Sequence, residues 1–289
     1  MNSLGCKPFK TTEEQIQLLK DRNLIISDVE YAHDILRKVN YYRLSAYSLT
    51  LRTNDNFYKG ITFENIVELY NFDSCFRHII LKYTPDIEFS FRTYIAYHHT
   101  KKHGPLGYLD SKNFTDAWYH AIFLSKLKSL IDKSTDIFIT HHKNDLNGIY
   151  PFWVAIEVLT FDVLSKLYKN LLPEDKTEIA GNYHISREYI ENWLHCAVLA
   201  RNISAHGGRF YNRNNLQPVK LDRYSKTQIN PSSPFAYIFA IFKLLSNNDL
   251  RIELKNDLNT LFKEYPFALE KHMGFPSNWK EILEEQMPS

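Results

Sequence analysis

Apolar residues recur along most of this sequence at intervals of three and four positions, the spacing of one face of an α-helix. Stretches in which polar and apolar residues alternate, as they do in half-buried strands, are hard to find. Glycine, which weakens helices, occurs nine times in 289 residues. Because 44% of the residues are hydrophobic, the chain can bury a sizeable core. We therefore predict an all-α fold.

Helix-start signals and prolines divide this pattern into separate helices. Thr11 and Asp28 each precede a short apolar pattern and are good N-cap residues. After Gly60, a long pattern begins at Phe63 and is interrupted near Pro85, which predicts two long helices packed as an antiparallel hairpin. Further helices are predicted over residues 115–131, 152–171 and 186–206, and from residue 233 onward.

The predicted helices fall into two parts. Residues 1–60 carry short helices and are interpreted as an N-terminal helical extension, whereas residues 61–289 carry the longer helices of the main domain. We expect the two parts to pack as one compact unit.

The spacing of the cysteines and the length of the apolar runs indicate the cellular compartment of the protein. Cys6, Cys75 and Cys196 are odd in number and far apart, so neither a disulfide framework nor a cysteine zinc site is expected. The first ten residues lack the apolar core of a signal peptide, and no run reaches the roughly 18 apolar residues of a membrane span. We therefore predict a cytoplasmic location and no membrane partner.

Basic residues are concentrated in one segment. The whole chain has a formal charge of only +2, which gives no strong field toward nucleic acid. Residues 201–226, however, carry six basic side chains and one acidic side chain. Any nucleic acid must therefore be attracted by this local patch.

Clustered histidines raise the question of a metal site. His98, His99 and His103 lie close together in the sequence, as do His141 and His142. Neither set has a carboxylate placed as a third ligand. We therefore predict neither a metal site nor a cofactor.

The stretch LARNISAHGGRFYNR, at residues 199–213, closes the helix predicted over 186–206. Its glycine pair supplies the left-handed stop that ends many helices. Asn202 and His206 are four positions apart and share a helix face, whereas Arg201 lies about 140° from His206. A site that uses all three side chains must therefore be completed by another segment or another subunit.

A histidine and an arginine without a carboxylate cluster suit the cleavage of RNA without metal. His206 can take the proton of a 2′-hydroxyl or give one to the leaving 5′-oxygen, because an imidazole exchanges protons near neutral pH. Arg201 can stabilise the charge that develops on the phosphorane. Because the RNA supplies its own nucleophile, the expected products are a 2′,3′-cyclic phosphate and a 5′-hydroxyl.

An arginine followed by a histidine is nevertheless a loose pattern. Arg92 and His98 repeat it elsewhere, and a histidine before glycine is a common helix end. Arg77, Glu88 and Arg92 lie on predicted helices that face an apolar interior, where we expect a structural ion pair, although one of these arginines can still reach RNA. Two alternatives stay open: a module that binds structured RNA on the same basic surface without cutting it, and a helical protein that binds a protein partner.

The residues RNISAH resemble the RNxxAH motif of HEPN ribonucleases, which are all-helical proteins that usually dimerise. The resemblance widens to the Abi-like abortive-infection family, of the AbiD and AbiF type, and covers roughly residues 7–213. It rests on ordered motifs: KPFKTTEEQIQLL, VNYYRLSAYSL, FENIVELYNFDSCFRHIIL, DIEFSFRTYIAY, YPFWVAIEVLTFDVLSKLY and WLHCAVLARNISAHGGRFYNR.

This resemblance implies a HEPN-like helical bundle with additional N-terminal and C-terminal helices. It implies a ribonuclease toxin of bacterial phage defence, held in check in some members by a small noncoding RNA. It also implies a homodimer in which two motifs form one cleft. The substrate RNA and an antitoxin RNA are the partners we expect.

Carried over position by position, the resemblance makes Arg201 and His206 the catalytic pair and Asn202 the polar residue between them. Many family members have a second histidine directly after the first. This chain has Gly207 there, which leaves His206 alone as the acid or base.

Four further arginines are candidates for RNA binding. Arg209 and Arg213 match the basic residues that follow the family motif. Arg77 and Arg92 are added because, beside their expected structural role, an arginine of this pair can still reach the RNA.

Overall fold

Helices make up most of the structure, a computed structural model that describes residues 8–214 and 216–287. Thirteen α-helices occur in this part of the chain, together with six short 3-10 segments and one small sheet. This confirms the predicted all-α class. In chain order the helices are α1 (Thr12–Asp21), α2 (Val29–Lys38), α3 (Tyr41–Ser45), α4 (Phe63–His103), α5 (Ala117–Lys133), α6 (Ile137–Asp145), α7 (Phe152–Ala155), α8 (Phe161–Asn170), α9 (Pro173–Gly181), α10 (Arg187–Ala205), α11 (Pro234–Leu244), α12 (Asn248–Glu264) and α13 (Trp279–Glu284).

The predicted starts of the first two helices are confirmed. At the start of α1, Thr11 Oγ1 accepts a hydrogen bond from the Glu14 amide at 3.3 Å, and Glu14 Oε2 accepts one from the Thr11 amide at 2.7 Å. At the start of α2, the Asp28 carboxylate accepts a hydrogen bond from the Tyr31 amide at 2.8 Å. These caps satisfy backbone donors that a helix start leaves without an intrahelical partner.

The longest element is α4, which has 41 residues and spans about 60 Å. It runs without a break through Pro85, so the predicted hairpin of two helices is wrong. Proline removes one backbone hydrogen bond, to the carbonyl of Leu81. Pro85 lies on the exposed side of the helix, where water can bind that carbonyl, whereas Tyr83 and Ile87 on either side are buried. Burial of these neighbours keeps the helix continuous across the lost bond.

The segment predicted as one helix over residues 152–171 is split, which corrects the prediction. A 3-10 turn follows α7, and Leu159 then has an extended backbone, with φ −69° and ψ 139°. Thr160 accepts the Val163 amide at 3.4 Å and so starts α8. Because apolar residues flank the break on both sides, periodicity does not reveal it.

A small hairpin also escaped prediction. The strands β1 (Arg52–Thr53) and β2 (Asn56–Phe57) pair antiparallel. Asn54 and Asp55 connect them with positive φ values of 49° and 68°. Asparagine and aspartate tolerate this left-handed conformation, which suits a two-residue turn. Strands of two residues are too short to show alternation in the sequence.

The helix α10 is the centre of the packing and lies against α4, α8 and α11. α11 is apolar on all sides and almost completely buried. Trp193 of α10 meets Phe239 of α11 edge to face, with ring centroids 6.0 Å apart, and its indole nitrogen donates to the Lys220 carbonyl at 2.7 Å. Because α10 is enclosed on three sides, its C-terminal end has a fixed position.

The division into an extension over residues 1–60 and a domain over 61–289 stays a prediction. Residues 1–7, 215 and 288–289 lie outside the described part of the chain, and Cys6 is among them. Cys75 and Cys196 are free thiols. Within the described residues, no helix is both long and apolar enough to cross a membrane.

We expect Pro85→Ala to stabilise the protein by about 1 kcal/mol, because it restores a backbone donor in the middle of a continuous helix. The measurement is the free energy of unfolding in urea. His78→Ala, at an exposed position of the same helix, should change that free energy by less than about 0.5 kcal/mol. Destabilisation by Pro85→Ala would contradict a helix that is continuous through this position.

Candidate functional site

The C-terminal end of α10 is closed by the two glycines that the sequence analysis singled out. Gly207 has a φ of +66°, and its amide donates to the Ser204 carbonyl at 3.1 Å. The Gly208 amide donates to the Ile203 carbonyl at 2.7 Å. This pair of hydrogen bonds is a Schellman motif, so the predicted left-handed stop is confirmed. At the other end, Ser186 precedes the first residue of the helix, but its hydroxyl makes no capping hydrogen bond.

The three candidate catalytic residues lie at this helix end and are accessible to different degrees. Arg201 and His206 are exposed, and Asn202 is half-buried. Arg201 Nη1 donates to Asn202 Oδ1 at 3.2 Å, while the Asn202 carbonyl accepts the His206 amide at 3.0 Å. Among the described residues, no group hydrogen-bonds to the His206 imidazole. The imidazole is therefore free to meet a ligand.

An apolar stripe on α10 explains this exposure. Its members are all buried: Ile190, Trp193, Leu194, Ala197 and Ala200. The stripe fixes the rotation of the helix against its neighbours, and Arg201 emerges where the stripe ends.

A buried carboxylate, Asp73 of α4, fixes the backbone that follows the glycine pair. Asp73 Oδ1 accepts the amides of Phe210 at 2.9 Å and Tyr211 at 2.7 Å. Its Oδ2 accepts the Tyr47 hydroxyl at 2.8 Å and Arg77 Nη1 at 2.5 Å. Burial raises the pKa of the Asp73 carboxyl, and the four donors act in the opposite direction. One side chain thus connects the N-terminal region, α4 and the segment after the motif.

The arginines proposed for RNA binding are therefore not equally available. Arg77 is buried in the ion pair with Asp73, the structural role that the sequence analysis weighed for it. Arg209 is half-buried, and its Nη1 donates to the carbonyls of Ala46 at 3.2 Å and Tyr211 at 2.7 Å. Arg213 is half-buried and lies four residues further along the chain, where its Nη1 donates to the Arg209 carbonyl at 3.5 Å.

Arg43 is a site residue that the sequence analysis missed. It belongs to α3, and its Nη1 donates to the Gly207 carbonyl at 2.6 Å. A guanidinium from the N-terminal region therefore lies at the end of the motif helix. Arg43 is exposed and adds a positive charge beside His206. No local pattern announces this contact, because it joins residues 164 positions apart.

Arg201 faces a second polar group on α4. Glu88 Oε1 accepts Arg92 Nη2 at 2.6 Å, so the ion pair expected from the sequence is formed. Arg92 Nη2 also donates to the Leu159 carbonyl at 2.7 Å. Burial raises the pKa of Glu88, and the nearby charges of Arg92 and Arg201 oppose this rise. Arg201 therefore lies within electrostatic reach of Glu88.

An open groove of about 500 Å³ begins at Arg92 and runs between α4 and α7. Two exposed aromatic rings line it, Tyr97 of α4 and Trp153 of α7, together with Lys101. Exposed rings beside cationic side chains are suited to stacking of nucleic-acid bases. The sequence does not show that α7 packs against α4, so the groove between them is seen only in the folded structure.

One group of metal-type ligands occurs among the described residues, near the C-terminal end of α4. It consists of His99 and His103 of α4 and Asp175 of α9. The two histidines are four positions apart on one helix, but their third partner, Asp175, lies 72 positions after His103, so the sequence shows no third ligand near them. His98 points elsewhere, with Nδ1 at 3.2 Å from Glu178 Oε2.

A family model described as Abi-like protein matches residues 34–212. This is more than half of the chain. The chain belongs to the Abi-like family. The match begins inside α2 and ends at Asn212, so it contains Arg43, Asp73 and the whole RNISAHGG stretch. Searches of curated proteins and of solved structures found no match.

Membership of the Abi-like family points to a part in abortive infection, the bacterial defence against phage. It is compatible with a nuclease role. The residues that contact Asp73 all fall inside the matched region, whereas α11, α12 and α13 lie beyond it.

We expect Gly207→Ala to destabilise this Abi-like protein by about 1 kcal/mol, because a φ of +66° strains any side-chain-bearing residue. Its β-carbon would also lie 3.3 Å from Arg43 Nη1. Gly181→Ala is the matched control: no atom lies within 4 Å of a β-carbon there, φ is not positive, and the change should be neutral or stabilising. Thermal unfolding followed by circular dichroism compares the two. Equal effects would show that the left-handed turn is not required.

The Asp73 contacts can be tested by graded removal. Tyr47→Phe removes one donor and should cost about 1 kcal/mol of unfolding free energy. Asp73→Ala leaves Arg77 and two backbone amides without their acceptor and should cost at least about 3 kcal/mol. Asp162→Ala, which breaks an exposed pair with Lys166 at the same helical spacing, should cost less than about 0.5 kcal/mol. If Asp73→Ala were as mild as Asp162→Ala in urea unfolding, the carboxylate would not hold these segments.

Proposed function

We propose that this Abi-like protein is a metal-independent endoribonuclease of phage defence. The observation that carries the proposal is the exposed His206 imidazole, which has no hydrogen-bond partner among the described residues. It lies at the same helix end as Arg201 and directly precedes Gly207, whose carbonyl accepts Arg43 Nη1. Each of these groups can act on a phosphodiester, and none of them requires a cofactor.

The proposed reaction begins at the ribose. His206 takes the proton of the 2′-hydroxyl, and the 2′-oxygen forms a bond to phosphorus while the bond from phosphorus to the 5′-oxygen breaks. The leaving 5′-oxygen receives a proton from a second acid. The products are a 2′,3′-cyclic phosphate and a 5′-hydroxyl, and DNA cannot react because it lacks the 2′-hydroxyl.

Arg201 is proposed to stabilise the charge that develops on the phosphate oxygens. Its guanidinium is exposed, and Asn202 Oδ1 restrains it on one side. Glu88 lies within electrostatic reach of the same guanidinium. A planar guanidinium held in this way can donate two hydrogen bonds to one phosphate.

A homodimer is part of the proposal. Each chain supplies only one histidine from this motif, His206, because the next residue is Gly207 and not a second histidine. A second copy related by a two-fold axis would bring its own histidine to the cleft as the second acid. A small noncoding RNA that binds the same cationic surface would then keep the enzyme inactive.

The experiment that tests the activity uses purified protein and total bacterial RNA in the presence of EDTA, with sequencing of the new 5′-hydroxyl ends. We expect His206→Ala to reduce cleavage at least about 100-fold while RNA binding persists. Arg201→Ala should weaken both cleavage and binding. His195→Ala is the matched control, because His195 is an exposed histidine on the same helix and should not matter.

A single observation favours a second candidate, a module that binds structured RNA without cutting it. The groove with Tyr97 and Trp153 offers base stacking, and that needs no histidine. If wild type and His206→Ala both bind RNA and neither cuts it, this candidate replaces the ribonuclease. Binding that is insensitive to salt would argue against both, because phosphate contacts weaken steeply as salt rises.

A further inference from the structure

The cluster of His99, His103 and Asp175 lies about 16 Å along α4 from Glu88, well away from the motif helix end. His99 and His103 are one turn apart on α4, so both point to the same side. Asp175 reaches them from α9, and His103 Nε2 is 2.9 Å from Asp175 Oδ2. The candidate ligand atoms of all three residues lie within 4.8 Å of one another.

His99 is the anomaly in this cluster. It is fully buried, and among the described residues neither of its ring nitrogens has a hydrogen-bond partner. Phe152 and Phe114 pack beside it, with ring centroids at 5.0 and 5.4 Å. A buried polar group without a partner is costly, and an aromatic hydrocarbon would fill the same space without that cost. The imidazole is therefore placed for a ligand that binds nitrogen.

Asp175 is also buried, and its surroundings suit a metal ligand. Its second oxygen, Oδ1, accepts Lys102 Nζ at 2.9 Å. Such outer contacts orient ligating carboxylates in metal sites. Because the contact with Lys102 uses Oδ1, the other oxygen of Asp175, Oδ2 beside His103, can bind the ion.

The loop after α4 closes tightly over the two histidines. A β-carbon at Gly107 would lie 2.5 Å from His103 Cβ and 3.5 Å from His99 Cε1. The nearby His120 is not a further ligand, because its Nε2 is 2.9 Å from the Tyr108 carbonyl oxygen and is engaged there. Three protein ligands are therefore available in an enclosed site.

We propose that His99, His103 and Asp175 bind one divalent transition-metal ion of the Zn²⁺ type, with water as the fourth ligand. Two imidazoles and one carboxylate are a donor set of zinc sites, whereas Ca²⁺ and Mg²⁺ prefer oxygen ligands. Atoms bound to one tetrahedral zinc are about 3.3 Å apart. The candidate ligand atoms, all within 4.8 Å of one another, need only small shifts to reach this spacing, in which His103 Nε2 and Asp175 Oδ2 separate slightly from 2.9 Å.

The ion would join the end of α4 to α9, the helix that directly precedes α10 in the chain. It would stabilise the fold at a distance from His206 and take no part in the proposed cleavage. This reverses the expectation of no metal drawn from the sequence. It also means that EDTA can destabilise the protein without touching the catalytic residues, so cleavage in EDTA is interpretable only for protein shown by circular dichroism to be folded.

The test uses the full chain, purified without a histidine tag and analysed for metal by mass spectrometry. After removal of metal, addition of Zn²⁺ at a hundredfold excess over its dissociation constant should raise the melting temperature by about 4 °C. Co²⁺ in its place should give the visible absorption of a tetrahedral site.

Two variants and one control locate the ion. His99→Phe keeps a ring in the apolar space and should abolish both the Zn²⁺-induced shift and the Co²⁺ absorption. Asp175→Asn should also abolish both signals, and it provides a second test of the site if His99→Phe fails to fold. His98→Phe, at the neighbouring position, should leave both signals intact.

Two results would overturn the proposal. Wild type that neither contains metal nor responds to Zn²⁺ would show that the cluster is a buried polar network only. A Zn²⁺ response that persists in His99→Phe and Asp175→Asn would place the ion elsewhere. Neither result bears on cleavage, which the His206→Ala comparison decides separately.

Discussion

The carboxylate of Asp73 is the point at which three distant parts of the chain meet. It lies inside α4 with no exposure to solvent, and it can be accommodated there only because four donors surround it. The Tyr47 hydroxyl comes from the N-terminal region, the Arg77 guanidinium from α4 itself, and two amides from the segment after the motif. The position of the segment after α10 therefore depends on the packing of the N-terminal region against α4. The proposed catalytic site is in this way tied to the integrity of the whole fold.

The continuous helix α4 carries three polar groups that support the proposed functions. Asp73 holds the motif segment, Glu88 with Arg92 faces Arg201 about 22 Å further along, and His99 with His103 meets α9 about 16 Å beyond that. Each group finds its partner on a different segment. A hairpin at Pro85 would separate the first group from the other two, so the three groups have these positions only on a continuous helix. The buried apolar residues between these groups supply the stabilisation that offsets the desolvation of the charges.

The features read correctly from the sequence are those governed by neighbouring residues. Thr11 and Asp28 cap helices because their side chains reach amides only three residues away. Gly207 ends α10 because a left-handed backbone is cheap for glycine alone. Pro85 was misread because its local penalty is outweighed by burial of residues on either side, which only the folded chain provides. The metal-type cluster was missed because its carboxylate, Asp175, lies 72 positions after His103.

The amino-acid sequence was sufficient for the all-helical class, for the helix that ends in RNISAHGG, and for membership of the Abi-like family, since these follow from periodicity, local caps and ordered motifs. Only the folded chain decided which of the arginines are free. The sequence does not distinguish Arg77 and Arg209 from Arg201. In the structure, Arg77 donates to the Asp73 carboxylate and Arg209 to the Tyr211 carbonyl, whereas Arg201 is exposed, as is His206. The reason is physical: a side chain's availability depends on what the tertiary packing places beside it, and those neighbours come from segments that no local pattern connects.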